Sequence, residues 1–206
     1  MGTLERRERE RQALRRQILE AARDLFVREG FEAVTMRRIA EAIDYSATAL
    51  YKHFQDKEAL ITALLEEDFE ALLEAFKRHE AIADPVERLM RHFDAYVAFA
   101  LAHPDHYRLM FMTPKAGSTC GGGAPAHAYG YILETVAACI EAGAFRPELA
   151  QADAIAQTLW GSLHGVISLE MLRPSASEVP WTPLDQRLSW LREMMGAGLF
   201  IEPLGR

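Results

Sequence analysis

An all-α fold of about nine helices is predicted by three observations. Apolar residues recur at the three-and-four spacing of amphipathic helices along nearly the whole chain, turn and cap residues punctuate that pattern, and no stretch of useful length shows strand alternation. No internal repeat is present. With 206 residues, 50% hydrophobic and 26% charged, the chain has the composition of a globular protein and is long enough to bury a sizeable core. Two cysteines, Cys120 and Cys139, make neither a disulfide framework nor a four-thiolate zinc site, as expected in a reducing compartment. The N-terminal run MGTLERRERERQALRRQ has no apolar core of a signal peptide. The longest uncharged helical run, Ala154 to Leu169, is shorter than the roughly 20 residues of a membrane span. A cytoplasmic protein with no membrane partner is expected.

Each element follows from its own residues. Leu14, Ile18, Ala22, Leu25 and Phe26 share a face and Glu29-Gly30 supplies a stop, predicting a first helix over 10–29. Thr35 caps a short helix carrying Ile39, Ala40 and Ile43. Asp44-Tyr45-Ser46 interrupts it, and Ser46 opens a third short helix with Leu50 and Phe54 inward. Asp56 caps a long fourth helix, 56–80, with the stripe Ile61, Leu65, Phe69, Leu72 and Phe76. Asp84-Pro85 restarts the chain into Val86, Met90, Phe93, Val97 and Leu101, and His103-Pro104 ends that helix before a short segment, Asp105 to Met112. Thr113 to Pro125, with four glycines, reads as a flexible loop. Further helices are predicted at 125–143, 150–172 and 183–199, with a linker from Arg173 to Pro183.

The net charge of −7 conceals an asymmetry: residues 1–60 carry a net +1 and residues 61–206 a net −8. Within residues 1–16, Arg6, Arg7, Arg9, Arg11, Arg15 and Arg16 face only Glu5, Glu8 and Glu10. Taken alone, such a run reads as a solvated helix extension before it reads as a phosphate-binding arm.

Two short helices joined by a three- to four-residue turn, the second displaying small and polar side chains, form a helix-turn-helix that fits the roughly 12 Å major groove. Ile39, Ala40, Ile43, Leu50 and Phe54 hold the pair together, and Ser46, Ala47, Thr48, Tyr51 and Lys52 are left facing outward. The residues from Thr35-Met36-Arg37-Arg38-Ile39-Ala40 through Leu50-Tyr51-Lys52-His53-Phe54 to Lys57-Glu58-Ala59-Leu60 closely resemble the DNA-binding signature of the TetR family of bacterial transcriptional repressors. The resemblance covers residues 10–72. It implies phosphate contacts for Thr35, Ser46, Tyr51, His53 and Lys57 and base-reading roles for Arg37, Ala47, Thr48 and Lys52. Without the resemblance, Thr35 is a helix cap, Tyr51 a half-buried ring, and His53 divides evenly between packing and phosphate. Asp44 stands where the family commonly has Gly; Asp tolerates the left-handed conformation, but it brings a carboxylate toward the DNA backbone.

Further along, Trp160-Gly161-Ser162-Leu163-His164-Gly165 and the segment from His103 to Phe111 look like elements of a TetR ligand-domain subgroup with a Trp-His-Gly signature. Trp160, His164, Ile167 and Met171 make one stripe, and Ala152, Ala156, Leu159, Leu163 and Val166 another, so the helix is apolar on two sides and central. Phe93, Tyr96, Tyr107, Met110, Trp160, His164 and Met171 are the candidate effector-binding residues for an apolar ligand, with His164 as the polar handle. The same residues serve equally as plain core, His164 included. Leu184, Leu188, Leu191, Met195 and Leu199 offer a stripe for a homodimer seam.

Enzymatic signatures are absent: there is no Gly-x-Ser-x-Gly, Gly-x-x-x-x-Gly-Lys or His-Glu-x-x-His. His103 and His106 lack a third metal ligand at diagnostic spacing. The sequence therefore reads as a DNA-binding domain, 10–58, with its helix-turn-helix at 35–54 and a fourth helix as connector, followed by an effector-binding and dimerisation domain, 81–206. The expectation is a transcriptional regulator, repressor before activator, that binds duplex operator DNA as a homodimer, is released by a small apolar effector, uses no cofactor or metal, and associates with the nucleoid when DNA-bound. The alternative is an all-α small-molecule-binding or enzymatic protein whose N-terminal helices are merely structural.

Overall fold

The computed structural model describes residues 2–113, 122–173 and 180–201. Among them nine helices run in chain order: α1 (Thr3–Glu29), α2 (Met36–Ala42), α3 (Ala47–Tyr51), α4 (Lys57–Lys77), α5 (Pro85–Ala102), α6 (Pro104–Met112), α7 (Gly123–Glu141), α8 (Ala152–Leu172) and α9 (Leu184–Leu199). No strand forms among the described residues. One isolated antiparallel bridge joins Phe145 to Phe200, whose rings lie 5.1 Å apart.

The caps act where their residue types place them. Thr35 Oγ1 accepts from the Arg38 amide at 3.1 Å, an Asp56 carboxylate oxygen from the Ala59 amide at 2.7 Å, and an Asp84 oxygen from the Val86 amide at 2.9 Å. α1 departs from expectation by starting at Thr3 and not near residue 10. Its Arg- and Glu-rich first half is held as helix by same-face pairs such as Arg11 with Glu8 at 3.0 Å and Arg6 with Glu10 at 3.6 Å. The loop expected over Thr113 to Pro125 lies largely outside the described residues, as does most of the linker expected between Arg173 and Pro183. α7 already begins at Gly123, where φ is +69° and an added Cβ would meet the Glu66 carboxylate, which accepts from the Ala124 amide at 2.8 Å.

The chain divides into two compact units, Met1–Ala71 with His103–Ala126, and Leu72–Ala102 with His127–Arg206. In the first, Ile18, Leu19, Ala22, Leu25 and Phe26 of α1 are buried with Ile39, Leu50, Phe54, Leu60 and Leu64. A polar node is buried with them. Asp68 of α4 is 2% exposed, and its Oδ1 accepts from Arg23 Nη2 of α1 at 2.6 Å and lies 2.8 Å from His106 Nδ1 of α6. Asp68 Oδ2 and Arg23 Nε have no hydrogen-bond partner.

The second unit is built on Leu89, Val136, Cys139, Phe145, Ile155, Ala156, Leu159 and Phe200. Burial pushes the Cys139 thiol up to about 12. On α9, the stripe Leu184, Leu188, Leu191, Met195 and Leu199 is half-buried, with Met195 and Leu199 packed against this core. The apolar residues α8 and α9 leave exposed are different ones: Trp160, Leu169 and Leu172, and Trp190 and Met194. The stripe expected to form a seam is thus the less exposed face of α9 in the chain on its own.

His92 is 2% exposed, ringed by Phe76, His79 and Tyr131, and neither ring nitrogen has a hydrogen-bond partner. Burial foremost, then the charges of His79 and Arg88, push its proton affinity down to about 4, and the nearby Phe76 carbonyl offsets only a little. A histidine whose folded value lies below its ordinary 6.5 favours the fold in its neutral form. Its contribution is therefore whole above about pH 6.5 and is lost as the pH falls toward 4, by up to about 3 kcal/mol. Urea unfolding at a series of pH values is expected to show this loss in the wild type and not in His92→Leu, and equal pH slopes for the two would contradict it.

Candidate nucleic-acid interface

α2 and α3 have seven and five residues, too short to persist in water without help. Three devices hold them. Thr35 and Ser46 cap their N-termini, Ser46 Oγ accepting from the Ala49 amide at 3.3 Å. Asp44 takes the left-handed conformation at φ +58°, so the Tyr45 amide turns back to the Ala40 carbonyl at 3.0 Å. Ile39, Ala40, Leu50 and Phe54 are buried and pin the pair from behind, whereas Ile43, expected in that set, is only half-buried.

What remains outward is a polar face. Thr35, Arg37, Ser46, Thr48, Tyr51 and Lys52 are exposed, and Ala47 and His53 half-buried. The Arg37 side chain is 85% exposed and pairs with Glu41 at 2.9 Å one turn on, an arrangement of small net worth that an incoming acceptor can displace. Tyr51 is 55% exposed and so is not the half-buried ring its type alone suggests. His53 is held below its ordinary proton affinity by burial first and then by Arg11 and Arg15, so it is a neutral hydrogen-bonding group at pH 7. Tyr45, which the sequence reading left out of the site, is 45% exposed beside Asp44 and lines an open cleft with Gln17, Glu20 and Ala21.

Lys57 is turned toward the protein. Its Nζ donates to the Phe31 carbonyl at 2.6 Å and the Val34 carbonyl at 2.9 Å and sits 4.3 Å from the centre of the Phe31 ring. Two of the ammonium's three donors thus tie the α1–α2 connection to the start of α4, and a phosphate contact is an addition to that role.

The candidate effector residues divide between the two units. Tyr107 and Met110 of α6 are buried in the N-terminal unit, where the Tyr107 ring lies 4.9 Å from that of Phe111. Phe93, Tyr96, Trp160, His164 and Met171 belong to the C-terminal unit. There Trp160 Nε1 donates to the Tyr96 hydroxyl at 3.0 Å, joining α5 to α8. His164 is half-buried, its ring 6.3 Å from Trp160, and burial lowers its proton affinity. Phe93 carries the Arg192 guanidinium over its ring at 4.8 Å.

With this geometry in place, the comparisons decide the family. The model for bacterial regulatory proteins of the tetR family matches residues 18–64, and that for the tetracyclin repressor-like C-terminal domain matches residues 89–194. The chain belongs to the TetR family. Among curated TetR-type relatives, the HTH-type transcriptional repressor Rv1474c of Mycobacterium tuberculosis is 43% identical over 34% of this chain and 37% of its own length. The chain spans less than half the length of the first curated relatives it matches. The TetR regulator PfmR of Thermus thermophilus is 22% identical with a TM-score of 0.67, over 90% of this chain and 98% of its own. AibR, solved in complex with isovaleryl coenzyme A and operator DNA, is 22% identical with a TM-score of 0.66, over 89% of this chain and 97% of its own. At these identities the two structures share the TetR fold.

The Lys57 bonds give the site a test. Hydrogen bonds made by a charged donor are worth about 1.5–3 kcal/mol, so Lys57→Met is expected to lower stability by that order even with no DNA present. A thermal melt unchanged from wild type would remove the lysine from the head's own framework.

Proposed function

We propose that this chain is a DNA-binding transcriptional regulator, a repressor that occupies a near-palindromic operator as a homodimer and leaves it when a small, largely apolar effector binds. The observation that carries the reading is the capped α2–α3 pair, apolar behind and polar in front, with Arg37, Thr48, Tyr51 and Lys52 exposed. In this reading Thr35, Ser46, Tyr51, His53 and Lys57 meet phosphates, and Arg37, Ala47, Thr48 and Lys52 meet base edges. Residues 10–58 serve as the DNA-binding domain and residues 81–206 hold effector and partner. The repressor reading draws on Rv1474c, which carries that description, and the pairing of effector with operator on AibR. The protein works in the cytoplasm, on the nucleoid when bound, and no observation favours an enzyme.

The effector site is assigned to the residues around Trp160 and His164 with Phe93, Tyr96 and Met171, all within the C-terminal unit, and Tyr107 and Met110 are effector candidates of the N-terminal unit. An effector that prefers one separation of the two DNA heads weakens operator binding by its differential affinity and no more. The partner seam is assigned to the apolar residues α8 and α9 leave exposed, chiefly Leu169, Leu172, Trp190 and Met194.

Two measurements test this. Selection of bound duplexes from a random pool is expected to yield a near-palindrome, and Arg37→Ala should then lose roughly 1–3 kcal/mol on that site while non-specific binding holds. Equal losses on both would sink the base-reading role, and a pool without a preferred site would sink the function. For assembly, Met194→Arg places an unpaired charge in the seam and is expected to sediment as a monomer with weakened operator binding. A dimer of that variant with full affinity would move the seam elsewhere.

A further inference from the structure

We infer that the N-terminal half of α1 is a second phosphate-binding strip, in which Arg7 and Arg11 grip the DNA backbone beyond the reach of the helix-turn-helix. The inference rests on the DNA-binding reading above and adds residues that the resemblance to the family does not supply.

The sequence singled out a basic run whose purpose the head does not use, and the structure gives it a shape and an address. The run is helix from Thr3 onward. Arg7, Arg11 and Arg15 stand four residues apart on one face, a stripe about 12 Å long at 1.5 Å per residue. One turn further on, the same face carries Ile18 and Leu19, both buried in the core of the DNA-binding head. The arginine stripe therefore continues the line of the packed face past the end of the core.

The stripe adjoins the recognition helix. The Arg15 guanidinium lies over the Phe54 ring at 5.3 Å and pairs with Glu67, so Arg15 anchors α1 to the chain just after α3. Arg11 and Arg15 are close enough to His53 for their charge to disfavour its protonation. Tyr51 and Lys52, at the exposed end of α3, immediately precede that histidine. Arg7 and Arg11 thus extend a polar, outward-facing surface and do not decorate an unrelated side of the molecule.

The carboxylates along the run are weak competitors. Glu8 holds Arg11 at 3.0 Å while also accepting from Gln12, and Glu10 holds Arg6 at 3.6 Å, all of them exposed. Pairs of this kind are worth little and are screened by salt. A duplex presents one phosphate of each strand per roughly 3.4 Å of helix axis, so a 12 Å stripe lying along the axis spans about three to four of them. A polyanion of regular spacing is the partner this surface fits.

The test uses the full chain and two probes, a mixed-sequence duplex and the operator recovered by selection, titrated between about 50 and 200 mM salt. The double variant Arg7→Ala with Arg11→Ala is expected to lower the salt slope by roughly 1.8, two contacts at about 0.9 each, alike on both probes. The single variant Glu8→Gln, which frees Arg11 from its carboxylate, is expected to tighten binding on both. On operators trimmed stepwise from their flanks, wild type and double variant should converge once the flanking phosphates are gone. Both variants are at exposed positions and are checked for wild-type helix content by circular dichroism. An unchanged slope in the double variant, with wild type binding steeply, makes the run a solvated helix extension and overturns the inference alone. A wild type with no salt-steep duplex binding overturns the DNA-binding reading itself.

Discussion

The N-terminal unit depends on one buried charge. Asp68 sits in the middle of α4 with almost no exposure, and a carboxylate in that position is stable only with partners, because its desolvation costs several kcal/mol. Its partners come from the two helices the sequence places farthest from each other in this unit, Arg23 on α1 and His106 on α6. One oxygen serves both. The other oxygen and Arg23 Nε are buried without a protein partner, so the node fixes how α1, α4 and α6 meet more than it adds net stability. α1 and the start of α4 are in turn the supports on which α2 and α3 rest.

The DNA-facing pair shows how little material a head of this kind needs. Twelve helical residues are held by two hydroxyl caps, one left-handed aspartate, a short apolar set and the Lys57 bonds to Phe31 and Val34. Each hydroxyl cap is worth on the order of 1 kcal/mol and satisfies a backbone amide that a short helix leaves open. Because the holding is done from behind and from the ends, the outward side chains are released from structural duty. Arg37 and Tyr51 can therefore be highly exposed without weakening the fold.

The C-terminal unit distributes its polar groups differently. Its most buried imidazole belongs to His92, neutral and without a hydrogen bond, whereas His164 is half-buried beside Trp160. An unsatisfied buried ring costs stability. A half-buried one retains access to a partner from outside. Large apolar side chains left exposed on α8 and α9 are a surface a monomer rarely keeps bare.

The sequence by itself determined what is local. Helical spacing, the caps at Thr35, Ser46, Asp56 and Asp84, the turn at Asp44, and the Leu50-Tyr51-x-His53-Phe54 signature all act within a few residues of one another, so the number of helices and the helix-turn-helix were legible in advance. Only the tertiary structure decided what depends on distant partners. Helical periodicity says that Leu188 and Leu191 are apolar together, but not that they are half-buried while Trp190 and Met194 stand exposed. In the sequence Asp68, Arg23 and His106 are three separate polar residues, Tyr45 is a turn residue, and only the resemblance to the family makes Lys57 a phosphate contact. Their pairing and exposure were set by which helices pack against which. A side chain's neighbours in space are fixed by the sum of all the packing contacts, and no local window of sequence contains that sum.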